Sequence, residues 1–537
     1  MVEWHINAIF YELYLRAFAD NNGDGYGDFA GMRDKLDYLQ WLGVDCIWLT
    51  PFYPSPLRDD GYDVSSFYGV DPIYGLLEDF KMTVDEVHRR GMKIIIDLVV
   101  NHTSDQHPWF KEARRSKDSP MRDYYVWTDD PGKYEGTRII FLDTEESNWA
   151  YDQVTGQYYW HRFFSHQPDL NYDNPRVREE LLRVVDFWLS MGIDGFRVDA
   201  VPYLIEREGT NSENLPETHD ILKMMRNFVD ERYPGRILLG EANQWPQDLL
   251  PYFGDENSPE FHMCFHFPVM PRLYMAIALE DRASVMDILA QTPPIPEGTQ
   301  WATFLRNHDE LTLEMVTEEE RQFMWEFYAP DPRQRLNLGI RRRLAPLVEN
   351  DRRRIELLHS LLFSLPGAPV LYYGDEIGMG DNILLEDRNG VRTPMQWNDS
   401  ENGGFSNARL ENLYAPSIND PDYGYPYVNV LAQELQQESI LHTIRNMIYM
   451  RKQLPVLARA ELVWLDELPP QALCFWRKDE NGKMLALHNL SDDELTIPLP
   501  NDSFTSPLGL GTLTRNGSSQ PVITLPPYGY HWLVLTE

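Results

Sequence analysis

Many of the apolar runs in this chain end on charge. The runs are AIFYELYLRAF (8–18), VDCIWLTPF (44–52), KIIIDLVVNH (93–102), GFRVDA (195–200), RILLGEAN (236–243), FHMCFHFP (261–268), ATFLRNHDE (302–310) and APVLYYGDE (368–376). Segments with a helical repeat lie between several of them, such as FAGMRDKLDYLQWLG and REELLRVVDFWLSMG. Strands alternating with helices in this way predict a parallel (β/α)8 barrel, the TIM fold of the α/β class. In such a barrel the C-terminal strand ends converge on one face, and active sites lie there.

The alternation breaks after the third run. Residues 103–172 are rich in loops and carry short aromatic strands such as QYYWHRFF, too long a stretch for a plain connection. They are expected to form an inserted domain, with the barrel over 1–102 and 173–455. Residues 311–355, which include RQRLNLGIRRRLAPLVENDRRR, are expected to form a second, helical insertion: a solvated helical pair or a lid at the barrel mouth. From 456 to 537 short alternating strands with turn signals, as in ALCFWRKDENGKMLALHNL, predict a C-terminal antiparallel β-sandwich.

Lys plus Arg number 48 and Asp plus Glu 84, for a net charge of −36. So acidic a surface repels phosphate backbones and anionic lipid, which argues against nucleic acid and membranes as partners. It leaves a neutral substrate or a cation open. The Cys residues, at 46, 264 and 474, form neither a disulfide framework nor a CxxC zinc pair. The opening MVEWHINAIFYELYLRAF lacks a basic region followed by an apolar core, and no stretch reaches about 18 uninterrupted apolar residues. A cytoplasmic protein without a membrane anchor is expected, free to form a homo-oligomer.

The strand ends carry the chemistry. Strand three ends on Asn101 and His102, strand four on Arg197 and Asp199, strand five on Glu241, and strand seven on His308 and Asp309. Structural ion pairs explain one such end easily and four poorly. Two carboxyl groups flanking a glycosidic bond are the minimal machine for glycosyl transfer, one ionised and one protonated. Arg197 lies two residues before Asp199, on the same side of the strand, and its charge is expected to keep Asp199 ionised. Glu241 has no basic neighbour in sequence, which fits the protonated partner.

DLVVNH, GFRVDA, LLGEAN and FLRNHDE, in that order, resemble the four sequence regions of the α-amylase superfamily, glycoside hydrolase family 13. The resemblance covers essentially the whole chain. It implies Asp199 as nucleophile, Glu241 as general acid/base and Asp309 as transition-state stabiliser. It implies His102, Arg197 and His308 as holders of the first sugar, with Tyr62 of DDGYD as stacking platform. Asp59 and Arg388 match the pair that selects a terminal glucose, with Asp60 and Arg392 as near alternatives in sequence. Phe164 and Gln167 are further expected substrate contacts, and Asn243, two residues beyond the acid, and Glu310, just after Asp309, are candidate polar handles on the second sugar.

The stretches DAVPYLIEREGTNSENLPETHD, FFSHQPDLNYDNP and RTPMQW are similar to the branch of that family that isomerises maltose to trehalose, with glucose as by-product. Ala200, just after the implied nucleophile, fits α-1,4-acting relatives. A hydrolytic α-1,4-glucosidase needs the same residues and differs in whether water reaches the intermediate. Some relatives are catalytically dead subunits of membrane transporters, but those lack the carboxylates present here. In the isomerase, Arg138 of the inserted domain is expected to pair with Glu310 and latch a roof over the site.

No organic cofactor is expected, but calcium is. DNNGDGYGD places Asp20, Asn22, Asp24 and Asp28 at positions 1, 3, 5 and 9 of a calcium-type loop, with Gly25 at position 6 and the carbonyl of Tyr26 at position 7. Position 12 is Gly31 rather than Glu, so this is no complete EF-hand. A second site resembles the family's, between barrel and inserted domain. It would draw on Asn101, Asp169, Glu206 and the carbonyls of Tyr203 and Leu204.

Overall fold

In the computed structural model, which describes residues 3–465, 467–480, 482–515 and 520–536, eight parallel strands close into a barrel. They are β1 (Phe10–Leu13), β2 (Cys46–Leu49), β3 (Lys93–Val99), β4 (Gly195–Asp199), β5 (Ile237–Gly240), β6 (Met263–Phe265), β7 (Gln300–Phe304) and β8 (Ala368–Tyr372). Seven of them fall within the apolar runs, and β7 begins two residues before its run. The barrel closes where Phe10 of β1 pairs with Val370 of β8. Almost every strand residue is buried, as expected for a sheet covered by helices on one face and filled by its own side chains on the other.

Residues between β3 and β4 carry a small antiparallel sheet of Trp127–Thr128, Gln157–Trp160 and Trp149–Asp152. It is tied to the barrel rim by the bridges His102–Asp169 and Tyr125–Leu170. Aromatic packing holds it, with Phe110 stacked on Trp127 at 5.7 Å and Trp149 edge-on to Trp160 at 4.8 Å.

The segment after β7 departs from the helical expectation. Helix Glu318–Tyr328 forms, started by a capping box of Thr317 and Glu320. The Arg-rich run does not make a second solvated helix beside it. Its first part folds into strands Arg335–Leu336 and Gly339–Ile340, paired with Leu311–Thr312. Arg342 and Arg343 turn inward to Asp381 and Asp375. The run then enters Arg352–Ser364, whose residues from Ile355 onward are buried. Arg342 and Arg343 thus reach buried acceptors, while Arg333, Arg352 and Arg353 stay exposed.

The C-terminal part is two antiparallel sheets. One orders Glu461–Trp464, Ala472–Asp479, Gly482–Asn489, Tyr530–Leu535 and Phe504–Gly509; the other orders Leu495–Pro498, Pro521–Leu525 and Thr512–Arg515. Alternation divides the first sheet. Ala472, Cys474, Leu485 and Leu487 join Ile497, Ile523 and Leu525 in a core between the sheets, while Leu473, Phe475, Met484 and Ala486 pack on the main core of the barrel. The three cysteines are buried and unpaired. No helix among the described residues is long and apolar enough to cross a membrane.

Candidate active site

Arg197 is the hub of the C-terminal face of the barrel. Its Nη1 donates to Asp97 Oδ1 at 2.7 Å and to Asp199 Oδ1 at 2.5 Å, and its Nη2 pairs with Glu241 Oε1. The guanidinium is buried over the Trp48 ring at 5.3 Å. Glu241 therefore does have a basic neighbour, contrary to the expectation from sequence. Residues 44 positions apart meet because β4 and β5 are adjacent strands, with Val198 opposite Gly240.

The two carboxyls still differ in proton affinity. Burial pushes Glu241 up to about 8, against the pull of Arg197 and with the charges of Asp199 and Asp309 adding to it. Burial lifts Asp199 to about 6, with Arg197 opposing and Asp97 adding. So near pH 7 Glu241 holds its proton and Asp199 does not. Arg197 alone does not keep Asp199 in the ordinary carboxylate range. Ala200, between them, adopts left-handed backbone with φ 49° and gives its N–H to Glu241 Oε2 at 3.0 Å. That conformation suits few side chains, and a β-branched one least.

Asp309 faces this pair. Burial opposes its ionisation, but His308, Arg388 and Arg392 outweigh burial and hold the carboxyl well below its usual range. Its Oδ1 accepts from Arg388 Nη1 at 2.9 Å and from Arg392 Nη2 at 3.0 Å. Arg388 also binds Asp59 Oδ1 at 2.7 Å, whereas Asp60 binds Arg392 at 2.6 Å and pairs with Arg16. Asp59 and Arg388 line the cavity; Asp60 and Arg392 lie behind it.

Asp199, Glu241 and Asp309 all open onto one cavity of about 130 Å³. Tyr62, His102, Asn243, His308 and Glu310 line it too. Tyr62 stacks on His308 with ring centroids 5.2 Å apart. Burial lowers His102 to about 3, so it is neutral, and its Nε2 lies 3.2 Å from the Tyr62 carbonyl.

Three expected contacts lie outside the lining: Arg197, the buried hub described above, Gln167 and Phe164. Gln167 is fully buried behind Asp59, donating to its Oδ2 at 2.7 Å. Phe164 packs against Phe141 and His166, and the apolar wall comes from Phe141, Phe163 and Ile140. In the pair Phe163–Phe164 only one ring can face inward, and no period in that loop tells which.

Arg138 does not reach Glu310. It donates from Nε to Glu213 at 2.8 Å, from Nη1 to Glu314 at 2.9 Å and from Nη2 to the Tyr203 hydroxyl at 3.3 Å. Glu310 is held instead by Asn337 Nδ2 at 3.2 Å, on the strand pairing that follows β7. Glu213 also takes Arg162 Nη2 at 2.9 Å. One cluster thus ties the inserted domain to the loops after β4 and β7.

The first cation loop is built from short turns. Asp20 accepts the N–H groups of Gly23 and Gly25 at 2.7 and 2.8 Å, Asn22 that of Asp24 at 2.9 Å, and Asp24 that of Tyr26 at 2.9 Å. Asp28 caps helix Phe29–Asp34 through the Gly31 N–H. Among the described residues no three His, Cys, Asp or Glu side chains converge as a metal cage. At the second location, Asp169 and Glu206 are buried near each other, and Asp169 Oδ2 and Glu206 Oε1 have no partner. Burial raises Asp169 to about 8, and burial with the Asp169 charge lifts Glu206 further. Two buried acids with bare oxygens, one of them beside Asn101, are a donor set that fits a cation.

Residues 12–327 and 341–460 match the model of the alpha-amylase catalytic domain. The chain belongs to the α-amylase family. It is 56% identical over 543 residues to "Trehalose synthase/amylase TreS" of Mycobacterium tuberculosis, covering 99% of this chain and 90% of that one. It is 53% identical to the trehalose synthase of Pimelobacter sp., covering 100% and 96%. Among solved structures, the trehalulose synthase MutB of Pseudomonas mesoacidophila MX-45 superposes with a TM-score of 0.81 at 28% identity, covering 99% of each chain.

Sequence reasoning passed over Glu12 and Asp97, both fully buried beneath the site. The signal was there: each is a lone acid inside an apolar run, FYEL and IIIDLV. Glu213, Arg162 and Glu314 sit in polar loops, where nothing distinguishes them from solvated neighbours.

Proposed function

We propose that the chain is an intramolecular transglucosylase that isomerises maltose to trehalose by retaining double displacement, with some glucose released to water. Its relatives named trehalose synthase, at 53–56% identity over nearly the whole chain, support the reaction. The observation that carries the site is the convergence of two carboxyls, Asp199 and Glu241, on one buried guanidinium at the cavity, with Asp309 facing them.

Asp199 attacks the anomeric carbon while Glu241 gives its proton to the glycosidic oxygen, forming a glucosyl ester and free glucose. Asp309 stabilises the positive charge that develops on the ring. The Asp59–Arg388 pair blocks the pocket beyond the terminal glucose. The freed glucose turns until its own anomeric hydroxyl faces the ester. Glu241 removes that proton, the oxygen attacks the anomeric carbon, and Asp199 leaves. Two inversions restore the α configuration. Water competes, and the held glucose prevails only through its effective concentration in a closed pocket.

The test is the product mixture from maltose. Trehalose should exceed glucose, and labelled glucose in the medium should enter trehalose only weakly. Glucose alone would instead identify a hydrolytic α-1,4-glucosidase, and label entering as fast as maltose disappears would rule out retention.

We also propose structural calcium at the two locations above, held by Asp20, Asn22, Asp24, Asp28 and the Tyr26 carbonyl, and by Asn101, Asp169, Glu206 and the Tyr203 and Leu204 carbonyls. A bound cation would neutralise the Asp169–Glu206 pair. Chelation should lower the melting temperature before it lowers the rate in the cold; a melting curve unmoved by chelator would remove the proposal. The three unpaired cysteines and the absence of a spanning helix among the described residues agree with a cytoplasmic place of work.

A further inference from the structure

β1 contributes a buried carboxylate that the reaction above leaves unused. Glu12 is fully buried, opposite Trp48 of β2 and Tyr372 of β8. Among the described residues its ion-pair partner is His308. Glu12 Oε1 lies 2.5 Å from His308 Nδ1 and accepts the His308 backbone N–H at 3.2 Å. Glu12 Oε2 has no hydrogen-bond partner. A buried carboxylate so sparsely satisfied costs stability that an apolar residue of similar size would not. A stabilising role is therefore a poor account of it.

The other face of His308 gives a better one. Its Nε2 lies 3.2 Å from Asp309 Oδ2 and 2.8 Å from the Tyr62 hydroxyl. The imidazole thus stands between two carboxyl groups, one at each nitrogen. A lone pair at Nε2 would face the Asp309 oxygen and repel it. The Tyr62 hydroxyl can donate to Asp97 Oδ2 at 3.2 Å, which leaves its oxygen free to accept. Hydrogen bonding is satisfied throughout when Nε2 carries a proton and a second proton lies between Nδ1 and Glu12. Burial opposes a charge on the His308 ring, and sharing that second proton with Glu12 relieves the cost without changing what Nε2 presents.

We infer that Glu12 is a positioning residue: acting through Nδ1, it keeps an N–H at His308 Nε2, and that N–H fixes the Asp309 carboxylate where the sugar ring meets it. The inference rests on the proposed part of Asp309 in glucosyl transfer.

Glu12→Gln keeps the shape and one acceptor oxygen but cannot share a proton with Nδ1. With maltose or an aryl α-glucoside as substrate, kcat should fall roughly 10- to 100-fold with KM within about twofold, because the lost interaction is felt at the transition state. The melting temperature should hold or rise. His308→Asn should lose at least as much, and the double variant should be no slower than His308→Asn alone. A wild-type kcat in Glu12→Gln, or losses that multiply in the double variant, would overturn the inference. A wild-type kcat in His308→Asn would instead overturn the reading of the site itself. If Glu12→Gln does not fold, Glu12→Asp withdraws the carboxylate by one methylene. It should lower kcat at constant KM, and an unchanged kcat again defeats the inference.

Discussion

Asp199 and Glu241 share one guanidinium yet hold their protons differently, and activity should follow that difference. The rate should rise as Asp199 ionises near pH 6 and fall as Glu241 ionises near pH 8, a bell read from kcat/KM against pH. Stability carries the opposite sign. A carboxyl whose folded pKa exceeds its unfolded value binds its proton more tightly when folded. For Glu241 this contribution is full below the ordinary value of 4.5 and is lost as pH climbs through about 8. Glu241→Gln cannot ionise, so at pH 8 it should gain roughly 1–2 kcal/mol of stability by denaturant titration while losing nearly all turnover. The identity of these residues was legible because each ends an apolar strand. Their electrostatic surroundings were not: strand adjacency, not sequence distance, brings Arg197 to Glu241, and sequence neighbours alone gave Glu241 no cation.

At the scale of elements, the roof depends on Arg138. It bridges Glu213 after β4, Glu314 after β7 and the Tyr203 hydroxyl. Arg138→Ala should raise the share of free glucose from maltose several-fold, and Glu314→Ala should do so to a lesser degree, by chromatography of the products. Consumption of maltose should change less than the ratio, since neither residue touches the anomeric carbon in the proposed mechanism. The barrel strands were legible because apolar runs, period and flanking helices agree. The strand pairing after β7 was not. Its elements are two residues long, too short for any period, and RRRLAPLVEN has the composition of a wet helix while Arg343 is wholly buried. Which partner Arg138 takes is likewise set by tertiary contact, so Glu310 and Glu314 were indistinguishable in sequence.

At the scale of the molecule, Arg477 ties the sandwich to the barrel, and Arg451 braces helix Ile440–Gln453 against the same barrel segment. Arg451 donates to the carbonyls of Phe363 and Gly367 at 2.6 and 2.7 Å, and Arg477 to those of Ser364 and Ala460 at 2.7 and 3.1 Å. Both serve the negative, C-terminal end of helix Arg352–Ser364. Burial lowers both, Arg451 to about 9 and Arg477 to about 10. Arg477→Leu would strand those carbonyls and should cost roughly 2–4 kcal/mol. Calorimetry should then resolve the single melting transition into two, as the sandwich parts from the barrel. The Asp59–Arg388 pair has a consequence for traffic. In the proposed mechanism it stops one end of the cavity while the roof covers the other, so a polymer could not thread through and no sugar could leave by a back exit. Whatever enters must return by the door it used. Such an enzyme counts to two rings, exchanges little with the medium, and has no preferred direction of its own. Which disaccharide accumulates is decided outside the protein, by whatever removes one of them.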